Sequence, residues 1–315
     1  MITPLKRILI TGSNGLLGQK VVDLFVRGGR YDLLLTSKRE RSVFTGDVLP
    51  YVSLDLSNRR AVRKIVDEFE PDIIINTAAM TDVDKCETDR ADAWKANVIS
   101  VENLTVSAKL VGAHLIHIST DYVFDGKNGP YAEYDRPNPI NYYGRTKLAA
   151  ENVIFTNEIV HTIVRTIVLY GTGIDVKPNF GLWLYKQFTE EKPVRTFDDM
   201  FTNPTLAEDV AFALLKIVEL QRTGMYHISG PDLISRYEFA LKFAQAFGFD
   251  KKLVTPIKSI AMKMPAQRPL RSGFITLKAE TDLGMKMSNV EHGLMIFKNQ
   301  LTAEMQNTVY SKASL

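Results

Sequence analysis

Short apolar runs alternate with longer amphipathic ones through the first half of the chain. Residues 7–11 (RILIT), 31–36 (YDLLLT), 71–76 (PDIIIN) and 114–118 (HLIHI) are apolar on both faces, the pattern of a strand buried from both sides. Between them, residues 19–26, the stretch carrying Ala61, Val62, Ile65, Val66 and Phe69, and residues 90–111 place apolar side chains at helical spacing. Strand and helix in turn predict a parallel sheet covered on both faces, a doubly wound α/β fold of Rossmann type. Ser57 is expected to cap the second helix, with Arg59, Arg60, Arg63 and Lys64 on its wet face.

Past residue 158 the alternation weakens. Residues 160–169 and 224–229 read as strands and 205–220 as a helix, and Ser235 is placed to cap a helix ending at residue 247. We therefore expect a dinucleotide-binding domain over residues 1–170 and a smaller C-terminal α/β substrate region over 171–315. Residues 203–229 or so are expected to return to the main sheet.

Where the first strand ends, the order of residues changes the picture from fold to ligand. Gly12, Ser13, Asn14, Gly15, Leu16, Leu17 and Gly18 form a strand, glycine turn and helix start with GxxGxxG spacing. A pyrophosphate needs close backbone approach, free N–H groups at a helix N-terminus and tight helix-on-strand packing, and glycine supplies all three. At the end of the second strand Ser37, Lys38 and Arg39, with Arg41 behind, stand where NAD-preferring sheets carry an acid. A hydroxyl and guanidinium there suit a 2′-phosphate, so NADPH is the preferred cofactor and NADH a second candidate. After the third strand, small Ala78 and Ala79 let backbone lie against a cofactor. Asn97 sits among apolar neighbours in the long helix, where an amide either bridges to the active-site strand or serves as a cap or surface residue.

Residues 119–147 gather the candidate chemistry. Ser119, Thr120 and Asp121 follow an apolar strand, and Tyr143 and Lys147 are four apart at the start of a helix, on one face. A free phenol titrates near ~10, and a neighbouring cation makes it a better proton donor. Residues 125–139, rich in Gly, Pro and Asn, are expected to cross the surface and line a substrate cleft. His114 and His117 are three apart with no third ligand nearby, so no metal site is expected.

Composition narrows the partners. With 315 residues, 45% hydrophobic and 24% charged, the chain is an ordinary globular one, and its net charge of +3 argues against nucleic acid. The single cysteine, Cys86, excludes an internal disulfide and a Cys-rich zinc site. The N-terminal stretch has no signal-peptide apolar region and no run is long enough for a bilayer, so we expect a cytoplasmic protein with no membrane partner.

Gly12 to Gly18, residues 77–87, STDYVFDG from Ser119, YGRTK from Tyr143, Asn203-Pro204-Thr205 and Arg268-Pro-x-x-Ser272 together resemble the dTDP-4-dehydrorhamnose reductase family, part of the extended short-chain dehydrogenases/reductases. The resemblance runs from the glycine turn to at least Lys278. It implies reduction of the 4-keto group of a nucleotide-activated 6-deoxysugar, giving dTDP-L-rhamnose in the family reaction, with hydride from NADPH or NADH. Carried onto this chain, it makes Tyr143 the general acid, gives Lys147 the task of lowering the Tyr143 pKa and holding the nicotinamide ribose, and has Thr120 orient the keto oxygen. Asp55, Leu56, Ala78, Ala79, Met80 and Asn97 complete the implied cofactor wall. Thr81, Val83, Asp121, Tyr122, Asn179, Phe180 and Arg268 complete the implied substrate site. Tyr122 stands where related dehydratases carry Glu, which argues against water elimination. Some family members dimerise through a carboxylate-bound magnesium using an acid where this chain has Lys20, so that bridge is not expected, while a homodimer stays open. The non-catalytic beta subunit of methionine adenosyltransferase resembles the same family, and a sugar-nucleotide epimerase is a third reading. The complete Thr-Tyr-Lys set, and no obvious extra partner-binding extension, favour the enzyme.

Overall fold

Seven parallel strands form the central sheet, and the apolar runs explain them: Ile73–Asn76, for example, is buried at every position, which only a sheet covered on both faces permits. The computed structural model describes residues 5–44 and 49–313, with side chains to residue 303. The chain runs through β1 (Lys6–Thr11), α1 (Leu16–Gly28), β2 (Tyr31–Ser37), β3 (Tyr51–Ser53), α2 (Arg59–Phe69) and β4 (Ile73–Asn76). Three short helical pieces follow, α3 (Val83–Thr88), α4 (Arg90–Trp94) and α5 (Ser100–Val111), then β5 (His114–Thr120), α6 (Tyr142–Thr156) and β6 (His161–Thr166). The second half adds α7 (Phe180–Thr189), α8 (Ala207–Glu219), β7 (Gly224–Ile228), α9 (Arg236–Phe247), α10 (Leu277–Leu283) and α11 (Val290–Ala313).

Strand order is β3-β2-β1-β4-β5-β6-β7, with every neighbouring pair parallel. The order reverses between β1 and β4, and ligands of such sheets bind outside the carboxyl ends of the strands at that crevice. One face of the sheet packs Ile8, Ile10 and Ile75 against Val21 and Phe25 of α1 and Leu214 of α8. The other packs Leu9, Ile74 and Leu115 against Val62 of α2, Leu104 of α5 and Ala150 of α6. A third cluster, rich in aromatics, joins Tyr170, Phe188, Phe239, Phe243 and Phe297 in the C-terminal half. No helix among the described residues is long and apolar enough to cross a membrane.

Three local expectations are corrected. Asn58, not Ser57, caps α2 by accepting from Ala61 N at 3.1 Å, while Ser57 hydrogen-bonds Asp55. The helix expected over 90–111 is interrupted by a turn of π-helix at Lys95–Ile99, which carries Asn97 inward. The 125–139 loop is not purely superficial: Tyr131 stacks on Phe124 at 4.1 Å, and its backbone N–H and C=O pair with Gly273 and Ile275. Those pairs satisfy the polar groups that normally keep a loop in water.

Behind the sheet, Glu151 of α6 holds the Arg165 guanidinium of β6 in a fork, Oε1 to Nε at 2.9 Å and Oε2 to Nη2 at 2.6 Å, and accepts from Ser119 Oγ. Both side chains are almost fully buried. Removing one partner strands the other charge, so Glu151→Ala is expected to cost about 3–5 kcal/mol of unfolding free energy in urea titration. An unchanged midpoint would mean that the pair is not sequestered as described.

Candidate active site

The crevice begins at the glycine turn. Gly12 has φ +73°, and a Cβ there would fall 2.6 Å from Ala78 N; at Gly18 it would fall 2.2 Å from Gly12 O. The turn therefore lies directly against the strand-end loop after β4, at a distance no larger residue allows. Gly15 caps α1 without a side-chain hydrogen bond, which leaves the first N–H groups of a thirteen-residue helix without a side-chain cap. Ser13 donates to Thr36 O at 3.2 Å, and Asn14 bridges Arg41 O and Val43 N, tying the turn to the end of β2. Leu17 is buried in the core beneath, with Leu16 starting the helix.

A cavity of about 310 Å³ opens beside this turn, lined by Gly12, Ser37, Lys38, Asp55, Leu56 and the run Ala78-Ala79-Met80. Burial pushes the Asp55 carboxyl up, but hydrogen bonds from Ser57 and Lys38 outweigh it and hold the pKa at about 2. Ser37 Oγ meets Tyr51 Oη at 2.8 Å, and the Arg39 guanidinium reaches across to Asp175 O at 2.8 Å. Lys95 and Lys177 line the same cavity and were not singled out from the sequence. Lys177 has no local pattern to mark it, because it arrives from a turn far along the chain. A cradle that a Cβ would fill, a free helix N-terminus and several cations fit a dinucleotide carrying phosphate.

Residues 120, 143 and 147 converge at the end of β5. Asn141 starts α6 by accepting from Gly144 N at 2.8 Å. Gly144 lies so near the preceding turn that a Cβ on it would stand 2.0 Å from Tyr122 O. That closeness sets Tyr143, 8% exposed, beside Thr120. Burial raises the Tyr143 pKa, and the Thr120 hydroxyl opposes it. Lys147 is 2% exposed; its Nζ donates to Ile118 O at 2.7 Å and meets His117 Nε2 at 3.2 Å. Burial lowers its pKa to about 8, against the pull of Glu151 and Cys86. Asp121 accepts from Ser272 Oγ at 2.6 Å and from Thr120 Oγ1 at 3.1 Å, yet burial wins and raises its pKa to about 6.

Asn97 is buried and grips both Met80 N and Met80 O, and it donates to Thr146 Oγ1 at 3.0 Å. It thus joins the β4 loop to α6. Val83 packs by Cys86 and Tyr143, whereas Thr81 is exposed just before α3. Tyr122 sits edge-on to Tyr143 at 5.7 Å. Asn179 caps α7 through Leu182 N and donates to Gly171 O, so its amide has a structural task. Phe180 lies under the Arg236 guanidinium at 4.9 Å. Arg268 is held in a fork by Asp84, at 2.5 and 2.7 Å, and donates to Ala266 O. Arg236 stands out among the residues that the sequence did not single out, because none of the described ion pairs engages it and it faces Tyr122 and Asp121. A residue one step past a helix cap carries no signal of that kind.

Known proteins resemble this chain in sequence and fold. The RmlD substrate binding domain family matches residues 6–303. The chain is 31% identical over 300 residues to dTDP-4-dehydrorhamnose reductase of Aggregatibacter actinomycetemcomitans, covering 91% of this chain and 97% of that protein. It is 31% identical over 284 residues to methionine adenosyltransferase 2 subunit beta of Mus musculus, covering 88% and 83%. The crystal structure of dTDP-4-dehydrorhamnose reductase from Bacillus anthracis in complex with NADP superposes with a TM-score of 0.85 at 31% identity, covering 94% of this chain and all of that one. With the glycine cradle, the switch point and the Thr120, Tyr143 and Lys147 cluster in place, the chain belongs to the RmlD substrate binding domain family.

Proposed function

We propose that the protein is an NADPH-dependent reductase of a nucleotide-activated 4-keto-6-deoxysugar, with dTDP-4-dehydrorhamnose as the first substrate to consider. The observation that carries the reading is the convergence of Thr120, Tyr143 and Lys147 beside the Gly12 and Ala78 cradle. The bound cofactor supplies the hydride. The chain's own residues do the rest: the Thr120 hydroxyl orients the keto oxygen, and Tyr143 gives it a proton. Tyr143 is a buried phenol whose raised pKa keeps the proton in place until a developing alkoxide takes it. The half-buried guanidinium of Arg236, stacked on Phe180, is a natural partner for a substrate diphosphate. Gly12, the α1 N-terminus, Ser37, Lys38 and Arg39 hold the cofactor in this reading.

Reduction with cofactor deuterated at the transferable position should leave deuterium on C4 of the sugar. Deuterium found elsewhere, or none transferred, would overturn the reading. On the cofactor side, Ser37→Asp sets a carboxylate where the 2′-phosphate is proposed to sit. The NADPH dissociation constant is expected to rise about tenfold or more, a change of ~1.4 kcal/mol, with NADH little affected in fluorescence titrations.

Likeness to the methionine adenosyltransferase beta subunit favours a second reading, in which the chain binds cofactor and a catalytic partner. Co-purification of a methionine adenosyltransferase from the native host, with no turnover of any keto-sugar nucleotide, would carry that reading instead.

A further inference from the structure

Beneath the proposed catalytic residues a buried hydrogen-bond chain crosses three strands. Thr11 Oγ1 of β1 donates to Asn76 Oδ1 of β4 at 2.7 Å, Asn76 Nδ2 meets His117 Nδ1 of β5 at 3.0 Å, and His117 Nε2 meets Lys147 Nζ at 3.2 Å. His117 is wholly buried. Direction along this chain is determined by one backbone group. Ala78 N can only donate, and it donates to Asn76 Oδ1 at 3.1 Å, so the amide must turn Nδ2 toward the imidazole. Nδ1 of His117 is then an acceptor, and the single proton of the neutral ring is on Nε2.

That proton points at Lys147. An N–H can bond to Nζ only if Nζ has a lone pair; an ammonium there would set donor against donor. We infer that His117 is a positioning residue for Lys147: its Nε2–H holds the neutral amine against Ile118 O, and protonation of Nζ releases the side chain from this station. The surroundings agree. Burial first, and then Lys147, hold His117 well below the ordinary imidazole pKa, and burial lowers Lys147 itself to about 8. The groups facing Nζ are His117 from β5, Cys86 from α3 and Glu151 from its own helix; both oxygens of Glu151 are already taken by Ser119 and Arg165.

The consequence for turnover rests on the reductase reading. When Tyr143 gives its proton to the sugar oxygen it is left a phenolate, which an ammonium stabilises and a neutral amine does not. A proton taken from solvent by Nζ would break the contact with His117 and free Lys147 to pair with the phenolate, so charge and movement arrive together. Reduction should accordingly fall on the alkaline side as Lys147 loses its proton.

The test needs no sugar nucleotide, so it can fail or succeed independently of that reading. In the whole chain labelled with ¹⁵N-histidine and ¹³C-lysine, His117 is expected as the neutral Nε2–H tautomer from about pH 6 to 9. One lysine, assigned by its loss in Lys147→Met, should titrate near 8. Two variants separate donor from acceptor at Nζ. Asn76→Asp accepts from Nδ1 and so moves the imidazole proton away from Nε2, which should raise the Lys147 titration by about one pH unit or more. His117→Gln accepts from Asn76 Nδ2 through its amide oxygen and turns its NH2 toward Nζ, so it keeps the donor and should leave the titration near 8. An Nδ1–H tautomer in the native chain, or a Lys147 titration unmoved in Asn76→Asp, would overturn the inference. Should either variant fail to fold, the tautomer of the native chain still decides.

Discussion

Tyr143→Phe is expected to lose about 10²–10⁴ in turnover, the usual contribution of a positioned general acid. Cofactor affinity should hardly change, because the hydroxyl is the only group removed and the ring keeps its packing by Cys86, Ala93 and Tyr122. Steady-state turnover with a fluorescence titration of NADPH separates the two quantities. A variant that turns over at nearly the native rate would remove Tyr143 from the chemistry, and one that loses cofactor binding as well would point to a packing role. Thr120 offers no substitute, since an aliphatic hydroxyl is a far weaker acid than a phenol.

Gly144→Ala should be nearly as damaging, for a purely steric reason. The added methyl would stand 2.0 Å from the Tyr122 carbonyl oxygen, and backbone on both sides must move to relieve it. Tyr143 is one residue away and Tyr122 follows Thr120 and Asp121, so the proton donor and the hydroxyl beside it are forced apart together. A displacement of about 1 Å at reacting groups costs on the order of 10² in rate. Gly28→Ala is the control: nothing lies within 4 Å of a Cβ there, and its activity should be native. Equal activity in the two variants would show that α6 can shift without cost.

The first half of the fold was legible because its strands are buried on both faces. Such strands must be continuous apolar runs, and residues 8–10 and 73–75 are. The glycine turn was legible for a related reason: Gly12 and Gly18 have no room for any Cβ. Other features left no mark on local spacing. The π-turn at Lys95–Ile99 changes the pitch of a helix without changing its composition. The short ladders pairing Leu169–Tyr170 with Thr205–Leu206, and Phe201–Thr202 with Ile234–Ser235, are too brief to show a period. Around the site, the Arg268 fork to Asp84 and the Ser272 bond to Asp121 join residues 184 and 151 positions apart. His117 was visible as a polar residue in an apolar strand, but its partners Asn76 and Lys147 come from a strand and a helix that only the sheet order brings to it.

The most direct test is to mix the protein with dTDP-4-dehydrorhamnose, prepared in situ, and follow the absorbance of reduced nicotinamide with NADPH and NADH in separate reactions. The account predicts substrate-dependent loss of absorbance, faster with NADPH, and abolished by Tyr143→Phe. Binding of both cofactors with no consumption of either, for this and other 4-keto-sugar nucleotides, would contradict it.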